Sequence, residues 1–189
     1  MKPGLLLFTA LVAALPVRAE QEAPLCYNYG CSARIEVRFS SQELKRIQAA
    51  FDGVADPVDE RKAIATAMAF LYASAAAQSP IWRDRGGNIE DGEVDGRMDC
   101  IDHSTNTTEW LKILGERGWL KHHRVGERVR RSSWLIFEHW SARIVEADTH
   151  AEFAVDTWFL DPGQPAVVYP LRKWLDGAYP PGREPIRWN

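Results

Sequence analysis

A single cysteine, Cys100, stands where the sequence predicts the first turn of a helix. Residues 85–97 before it are rich in turn formers, and apolar residues from Trp110 to Leu114 follow at helical spacing. A helix N-terminus carries partial positive charge and free backbone N–H groups, which favour a thiolate and can hold an oxyanion. Cys100 is therefore a candidate nucleophile, and a buried structural cysteine is the alternative that this stretch leaves open.

A cysteine nucleophile needs a base, and the base needs a group that orients it. His139 begins one predicted strand, and Asp156 lies in the next, over residues 153–158. If these strands form a hairpin around residues 148–150, the two side chains become cross-strand neighbours. Asp156 interrupts an apolar strand, where a lone buried carboxylate is costly, so we expect His139 as its partner. Taken singly, the two residues also fit a surface histidine and an exposed strand-end carboxylate.

The elements that must position these residues predict an α+β fold. We expect helices first and strands afterwards, an order typical of helices packed on an antiparallel sheet. The predicted helices cover residues 41–51 and 58–77 and a segment starting at Cys100. The predicted strands cover residues 34–39, 124–129, 134–137, 142–145, 153–158 and 167–169. Residues 81–98 form a long polar loop, and the proline-rich C-terminal segment is expected to wrap the surface.

In this order the three residues resemble the triad of the transglutaminase-like cysteine proteinases, a bacterial group within the papain-type enzymes. The resemblance rests on Asp99-Cys100-Ile101-Asp102, on the segment from His139 to Glu146 and on Val155-Asp156-Thr157, within residues 95–161. It implies a papain- or transglutaminase-like fold with the nucleophile at a helix N-terminus. The implied roles are attack by Cys100, proton transfer by His139 and orientation of the imidazole by Asp156.

The function implied is that of a cysteine hydrolase (an amidase or peptidase) or an acyl-transferase, acting on an amide of a protein or peptide. Hydrolysis is favoured over transfer because water is abundant. The alternatives are a catalytically inactive binding module in the cell envelope and a protein that only binds partners through its basic and Trp-rich surface. One oxyanion donor is the backbone N–H of Cys100; candidates for the second are Gln78, Trp82 and Asn88.

The first residues predict export. Lys2 precedes an apolar run over residues 5–15, which is too short to span a bilayer, and cleavage is expected after Ala19. Residues 1–19 are therefore predicted to be a signal peptide and residues 20–189 a single domain, periplasmic or secreted. An uncleaved anchor is the alternative. No later segment predicts an integral membrane span.

Export affects the three cysteines of the chain. In an oxidising compartment Cys26 and Cys31 can pair around a tight turn at Gly30, which leaves Cys100 as the free thiol. The alternative is that Cys26 and Cys31 stay reduced or bind another group.

Composition restricts the other function classes. A net charge of −3 does not favour nucleic acid, and irregular histidine spacing gives no zinc pattern. The acidic loop over residues 90–96 has calcium-type oxygen ligands but lacks the distant bidentate glutamate. We therefore expect neither cofactor nor metal, and the oligomeric state is not indicated. A basic cluster is interpreted as solvated positions or, if functional, as a surface for an acidic partner. It comprises Lys121, His122, His123, Arg124, Arg128, Arg130 and Arg131.

Overall fold

The computed structural model of the protein describes residues 21–133 and 137–182. The predicted signal peptide, residues 134–136 of one predicted strand and the last residues from 183 onward lie outside the described residues. Of the helices in the described part, none is long and apolar enough to cross a bilayer.

The architecture is α+β, with two antiparallel sheets and helices packed against them. A two-stranded sheet pairs β1 with β2, and a four-stranded sheet has the order β3-β4-β5-β6. The strands are β1 (Gln21–Tyr27), β2 (Ala33–Phe39), β3 (His123–Ser133), β4 (Phe137–Glu146), β5 (Glu152–Asp156) and β6 (Val167–Pro170). The helices are α1 (Ser41–Ala49), α2 (Pro57–Ala76), α3 (Cys100–Glu116) and α4 (Leu171–Leu175), with a 3-10 turn over Pro80–Arg83.

The sequence analysis missed β1, which pairs along its whole length with the predicted strand β2. It also missed α4, and it placed His139 at the start of a strand, whereas His139 is the third residue of β4. Strand β4 extends past the end of β5, because their pairing begins at Ala142 opposite Val155. Residues 138–141 of β4 therefore have an open edge on the side of β5.

Helix α3 is the centre of the fold and packs against both sheets. Its Trp110 is fully buried, meets the ring of Phe39 edge-on at 6.1 Å between centroids and donates from Nε1 to the Pro24 carbonyl at 3.1 Å. An indole buries a large apolar area when its N–H has a partner. The helix that carries Cys100 is thus fixed to the β1–β2 hairpin on one side and to the four-stranded sheet on the other.

A buried carboxylate joins α2 to the start of β3. Glu60 is fully buried and accepts the backbone N–H groups of Lys121, His122 and His123 at 2.6–3.0 Å. The His123 imidazole donates to it from Nδ1 at 2.9 Å. Burial opposes ionisation of Glu60, but these hydrogen bonds outweigh it and hold its pKa below the ordinary value. This cluster is structural and lies on elements that do not carry the candidate triad.

Candidate active site

Cys100 is the first residue of α3, as the sequence predicts. The preceding Asp99 accepts the backbone N–H groups of Ile101 and Asp102 at 3.0 and 2.9 Å. Asp102 in turn accepts the N–H of Asp99 at 3.2 Å. This reciprocal capping satisfies orphan donors of the first turn and fixes where the helix begins. The thiol therefore stands at the tip of the helix, beside a sheet.

The sulfur of Cys100 contacts the open edge of β4. Sγ lies 3.7 Å from the carbonyl oxygen of Glu138, and it is also hydrogen-bonded by the backbone N–H of Trp140. These two groups belong to the residues on either side of His139. The structure therefore brings the thiol to the strand segment that carries the predicted base.

His139 and Asp156 form a hydrogen-bonded pair, with 2.6 Å between Nε2 and Oδ2. An ionised carboxylate only accepts, so Nε2 of the imidazole carries a proton. In the neutral ring Nδ1 then has the lone pair, which makes it the nitrogen that can take a proton from a thiol. The His139 side chain is only 13% exposed, and the carboxylate of Asp156 is 1% exposed.

The Asp156 carboxylate has two further donors. Trp174 Nε1 donates to Oδ2 at 2.8 Å, and the backbone N–H of Trp158 donates to Oδ1 at 3.1 Å. Desolvation by burial disfavours the carboxylate, but the charge of the His139 imidazolium and these hydrogen bonds outweigh it. The pKa of Asp156 is therefore held below its ordinary value, and the group is ionised at neutral pH.

Aromatic side chains enclose the imidazole of His139. Its ring centroid lies 4.8, 5.3 and 5.5 Å from those of Trp158, Phe159 and Trp174. Trp174 belongs to α4 and is fully buried, so the C-terminal segment inserts a side chain into the site. The described part of this segment lies largely at the surface, as expected, but it also buries Trp174 against the site. The sequence offered no signal beyond a tryptophan within a short apolar pattern.

A buried cation, Arg131, fastens this C-terminal segment to the sheet. Arg131 pairs across the strands with His139, and its guanidinium donates to the carbonyls of Trp174 and Ala178, the latter at 3.1 Å. It also lies 4.7 Å above the ring of Trp174. Burial lowers the pKa of Arg131, and the nearby Asp156 opposes that shift. Arg131 thus holds Trp174 in the position from which it donates to Asp156.

Replacing Trp174 with phenylalanine is expected to lower the free energy of unfolding by about 1.5–3 kcal/mol, the usual contribution of a hydrogen bond to a charged group. Phenylalanine retains most of the ring but removes the donor to Asp156. Urea titration measures the loss. Trp82→Phe is the matched control, because Trp82 is 58% exposed and should tolerate the change. Equal stability of both variants would contradict this role of the indole.

The thiol of Cys100 differs from the expectation for a helix tip. Burial raises its pKa to about 11, and the hydrogen bond from the Trp140 N–H only partly offsets the desolvation. The strand that partly covers the helix tip thus opposes the influence of the helix N-terminus on the thiol, although Cys100 itself stays partly exposed. A thiol in this state is a nucleophile only when a neighbouring base removes its proton.

The structure joins Cys26 and Cys31 in a disulfide, and the loop between them clamps the first turn of α3. The backbone N–H of Gly30 donates to Asp99 Oδ2 at 3.0 Å, and that of Cys31 donates to Asp102 Oδ1 at 2.5 Å. Cys31 has a left-handed φ of 57°, which turns its N–H toward the helix and is uncommon for a residue with a side chain. The same two carboxylates thus cap the helix and hold the hairpin loop.

Replacing both Cys26 and Cys31 with serine is expected to lower stability by roughly 2 kcal/mol, the loop-closure contribution for so short a ring. For a domain of this size the melting temperature should fall by about 4–8 °C. Differential scanning calorimetry measures it. Cys100→Ser, which leaves the disulfide intact, is the control. An unchanged melting temperature in the double variant would show that the hydrogen bonds of the loop stabilise it without the disulfide.

Two of the three candidates for a second oxyanion donor, Gln78 and Asn88, are hydrogen-bonded elsewhere. Gln78 binds the backbone of Arg38 through both its amide oxygen and nitrogen, at 2.9 and 2.8 Å. Trp82 is exposed and stacks under Arg83, and Asn88 donates to Asp91 at 2.6 Å. These contacts remove Gln78 from consideration, since it completes the edge of β2. The backbone N–H of Cys100 remains the donor that the helix tip supplies.

Two of the four carboxylates of the acidic loop, those of Asp91 and Asp95, are engaged with protein partners. Asp91 accepts from the Tyr29 hydroxyl at 2.8 Å and pairs with Arg97 at 2.8 Å. Asp95 accepts from Asn28 at 3.1 Å. Within residues 21–133 and 137–182, the one group with metal-ligand geometry is Cys26, Cys31 and Asp102, whose two sulfurs are bonded to each other. Asp91 and Asp95 therefore tie this loop to the β1–β2 hairpin through Tyr29 and Asn28.

The basic cluster does not form one surface. His123 is buried on Glu60, and Arg131 is buried against Trp174. Arg130 pairs with Glu138, while Arg128 donates to Ser104 and Thr105 of α3. Four of the seven members thus serve separate structural contacts, while Lys121 and Arg124 remain exposed.

Comparisons of this chain with protein-family models, with curated proteins and with solved structures found no match.

Proposed function

We propose that this protein is an exported cysteine hydrolase, an amidase or peptidase, or an acyl-transferase, and that it acts on an amide of a protein or peptide. The observation that carries the proposal is the hydrogen bond of 2.6 Å between His139 and Asp156, with the Cys100 sulfur against the backbone groups that flank His139. These residue types can serve as nucleophile, base and orienting group for acyl transfer once the thiol, which contacts the Glu138 carbonyl in this structure, comes within hydrogen-bond reach of the imidazole.

The reaction follows from the protonation states. His139 Nδ1 takes the thiol proton as the sulfur of Cys100 attacks the carbonyl carbon, and the imidazolium is stabilised by Asp156. The oxyanion that forms accepts from the backbone N–H of Cys100, because Asp99 already accepts those of Ile101 and Asp102. His139 then returns the proton to the leaving amine, the C–N bond breaks, and a thioester remains on Cys100. Water completes hydrolysis; an amine completes transfer.

The papain- or transglutaminase-like fold belongs to this proposal. It is supported by a nucleophile at the first residue of α3 and by a base and a carboxylate on the successive antiparallel strands β4 and β5. The family's chain order of cysteine, histidine and aspartate is the order of Cys100, His139 and Asp156.

Export is supported by two independent features. The residues before Glu20 have the charge and apolar pattern of a signal peptide. The Cys26–Cys31 disulfide is of the kind that persists in oxidising compartments. We therefore place the protein in the periplasm or outside the cell.

A catalytically inactive binding module is the second candidate. The raised pKa of Cys100 favours it, because a neutral thiol without proton transfer to His139 would be inert. The enzyme and the binding module differ only in whether the thiol proton of Cys100 is transferred to His139.

The kinetics of p-nitrophenyl acetate hydrolysis distinguish the enzyme from the binding module. The protein is expressed as the full-length chain and purified after export. An enzyme should release nitrophenolate in a burst equal to the protein concentration and then continue slowly. Added methylamine should speed the second phase if transfer is possible. Cys100→Ser is the control for background ester hydrolysis; a wild type no faster than this variant supports the binding module.

A further inference from the structure

A second histidine–aspartate pair lies beneath the candidate active site and is sealed from solvent. His103 Nε2 donates to Asp84 Oδ2 at 3.0 Å, and Nδ1 is hydrogen-bonded to the Thr157 hydroxyl at 3.0 Å. His103 is 2% exposed, Asp84 is fully buried and Thr157 is 7% exposed. The atoms follow the order of a hydrolase triad, but a triad that no substrate can reach has no catalytic role.

Further hydroxyl groups extend this buried network. Thr157 Oγ1 lies 2.9 Å from Thr107 Oγ1, and the Tyr72 hydroxyl lies 3.1 Å from Thr107 Oγ1. The Tyr72 ring stacks on the His103 imidazole with centroids 5.4 Å apart. Each polar group has a partner, and such fully satisfied networks make the packing of a core specific.

The network holds the chain on both sides of the nucleophile. Asp84 Oδ1 accepts the backbone N–H of Met98 at 2.9 Å, while its other oxygen binds His103. Met98 precedes Cys100 by two residues and His103 follows it by three, so one carboxylate spans the turn that presents the thiol.

The network also holds the end of β5. Thr157 directly follows Asp156, so its bonds to His103 and Thr107 tie the residue next to the orienting carboxylate to α3. Hydrogen bonds of buried hydroxyl groups thus join the helix that carries the nucleophile to the end of the strand that carries the carboxylate.

We propose that Asp84, His103 and Thr157 are positioning residues, which set the distance between Cys100 on α3 and the His139–Asp156 pair on the sheet. The proposal rests on the proposed function, because it concerns the geometry of that site. Proton transfer between sulfur and imidazole depends steeply on separation, and a displacement of about 1 Å can cost about a hundredfold in rate.

Thr157→Val tests the proposal, because valine keeps the shape of threonine and removes the hydroxyl. We expect the rate of Cys100 acylation by p-nitrophenyl acetate to fall about tenfold to a hundredfold at 20 °C. Thr157→Ser, which keeps the hydroxyl, should restore most of the rate. Glu60→Gln is the control for lost stability, because it perturbs a buried cluster on elements outside the site. An equal fall in Glu60→Gln, or none in Thr157→Val, overturns the proposal.

Amide hydrogen exchange separates this proposal from the proposed function. In Thr157→Val, exchange should quicken in residues 98–104 and 152–158 and remain unchanged in residues 121–125. His103→Gln should give the same pattern and serves if the valine variant does not fold. If the wild type fails to acylate, the proposed function is wrong; if exchange in these two segments is unchanged, the network does not position them.

Discussion

Replacing His139 with alanine is expected to slow acylation of Cys100 at pH 7 by about 10²–10⁴-fold, the usual contribution of a positioned general base. Burial holds the pKa of the Cys100 thiol at about 11, so little free thiolate exists at this pH. The reaction therefore depends on proton transfer to Nδ1 of His139. Stopped-flow measurement of nitrophenolate release determines the rate.

The pH profile of this reaction provides an independent check. In the wild type, where His139 removes the thiol proton, the rate should level off well below the pH at which the thiol itself ionises. In His139→Ala it should instead keep rising toward pH 11 as the thiol itself ionises. His150→Asn is the matched control, because His150 is an exposed residue of the β4–β5 turn with a left-handed φ that asparagine tolerates. Identical profiles in the wild type and His139→Ala would remove His139 from the mechanism.

Replacing Asp156 with alanine is expected to lower the free energy of unfolding by about 3–5 kcal/mol at pH 6. The change leaves the Trp174 indole N–H and the Trp158 backbone N–H buried without their acceptor, and it frees His139 to rotate. Acylation of Cys100 should fall as well, because the imidazole loses both its orientation and the charge that stabilises its protonated form. Urea unfolding followed by circular dichroism measures the stability.

The stability difference between the wild type and Asp156→Ala should depend on pH. Because the folded state lowers the pKa of Asp156, its carboxylate stabilises the protein above its ordinary pKa, near 3.9. That contribution is lost as the pH falls through the lower pKa of the folded state. The difference in the free energy of unfolding between the two proteins should therefore be largest at pH 5–6 and should decrease below about pH 4. Glu138→Gln, which alters an exposed carboxylate near the thiol, is the control; a difference independent of pH would contradict the assignment.

The main features of the candidate site could be inferred from sequence because each has a local signature. An acidic N-cap followed by a helical apolar pattern places Cys100 at a helix start. An isolated carboxylate in an apolar strand indicates that Asp156 needs a partner, and an antiparallel neighbour supplies His139. The α+β class follows from the order of helices and strands. Only four residues lie between Cys26 and Cys31, the spacing of a tight loop.

Other features depend on contacts between distant parts of the chain. Strand β1 carries a proline and begins directly after the predicted signal peptide, so little in its own residues marks it as a strand. The approach of Trp174 to Asp156 depends on how the last helix folds back over the sheet. The raised pKa of Cys100 arises from β4 covering the helix tip, a tertiary effect that opposes the local influence of the helix.

The buried hydrogen-bond network around His103 also depends on contacts between distant parts of the chain. Asp84 follows the 3-10 turn, His103 lies in α3 and Thr157 follows β5, and their residue types alone fit many exposed positions. Only the packing of α3 against the end of β5 brings their polar atoms within hydrogen-bond distance. Sequence analysis therefore found the residues that carry the proposed chemistry and missed those that we propose to position them.

Mass-spectrometric location of the acetyl group after brief exposure to p-nitrophenyl acetate at pH 7 tests the central claim most directly. The account predicts an acetyl thioester on Cys100 in the wild type and none above background on Cys100 in His139→Ala. Acetylation confined to lysines, or equal acetylation of Cys100 in both proteins, would contradict it.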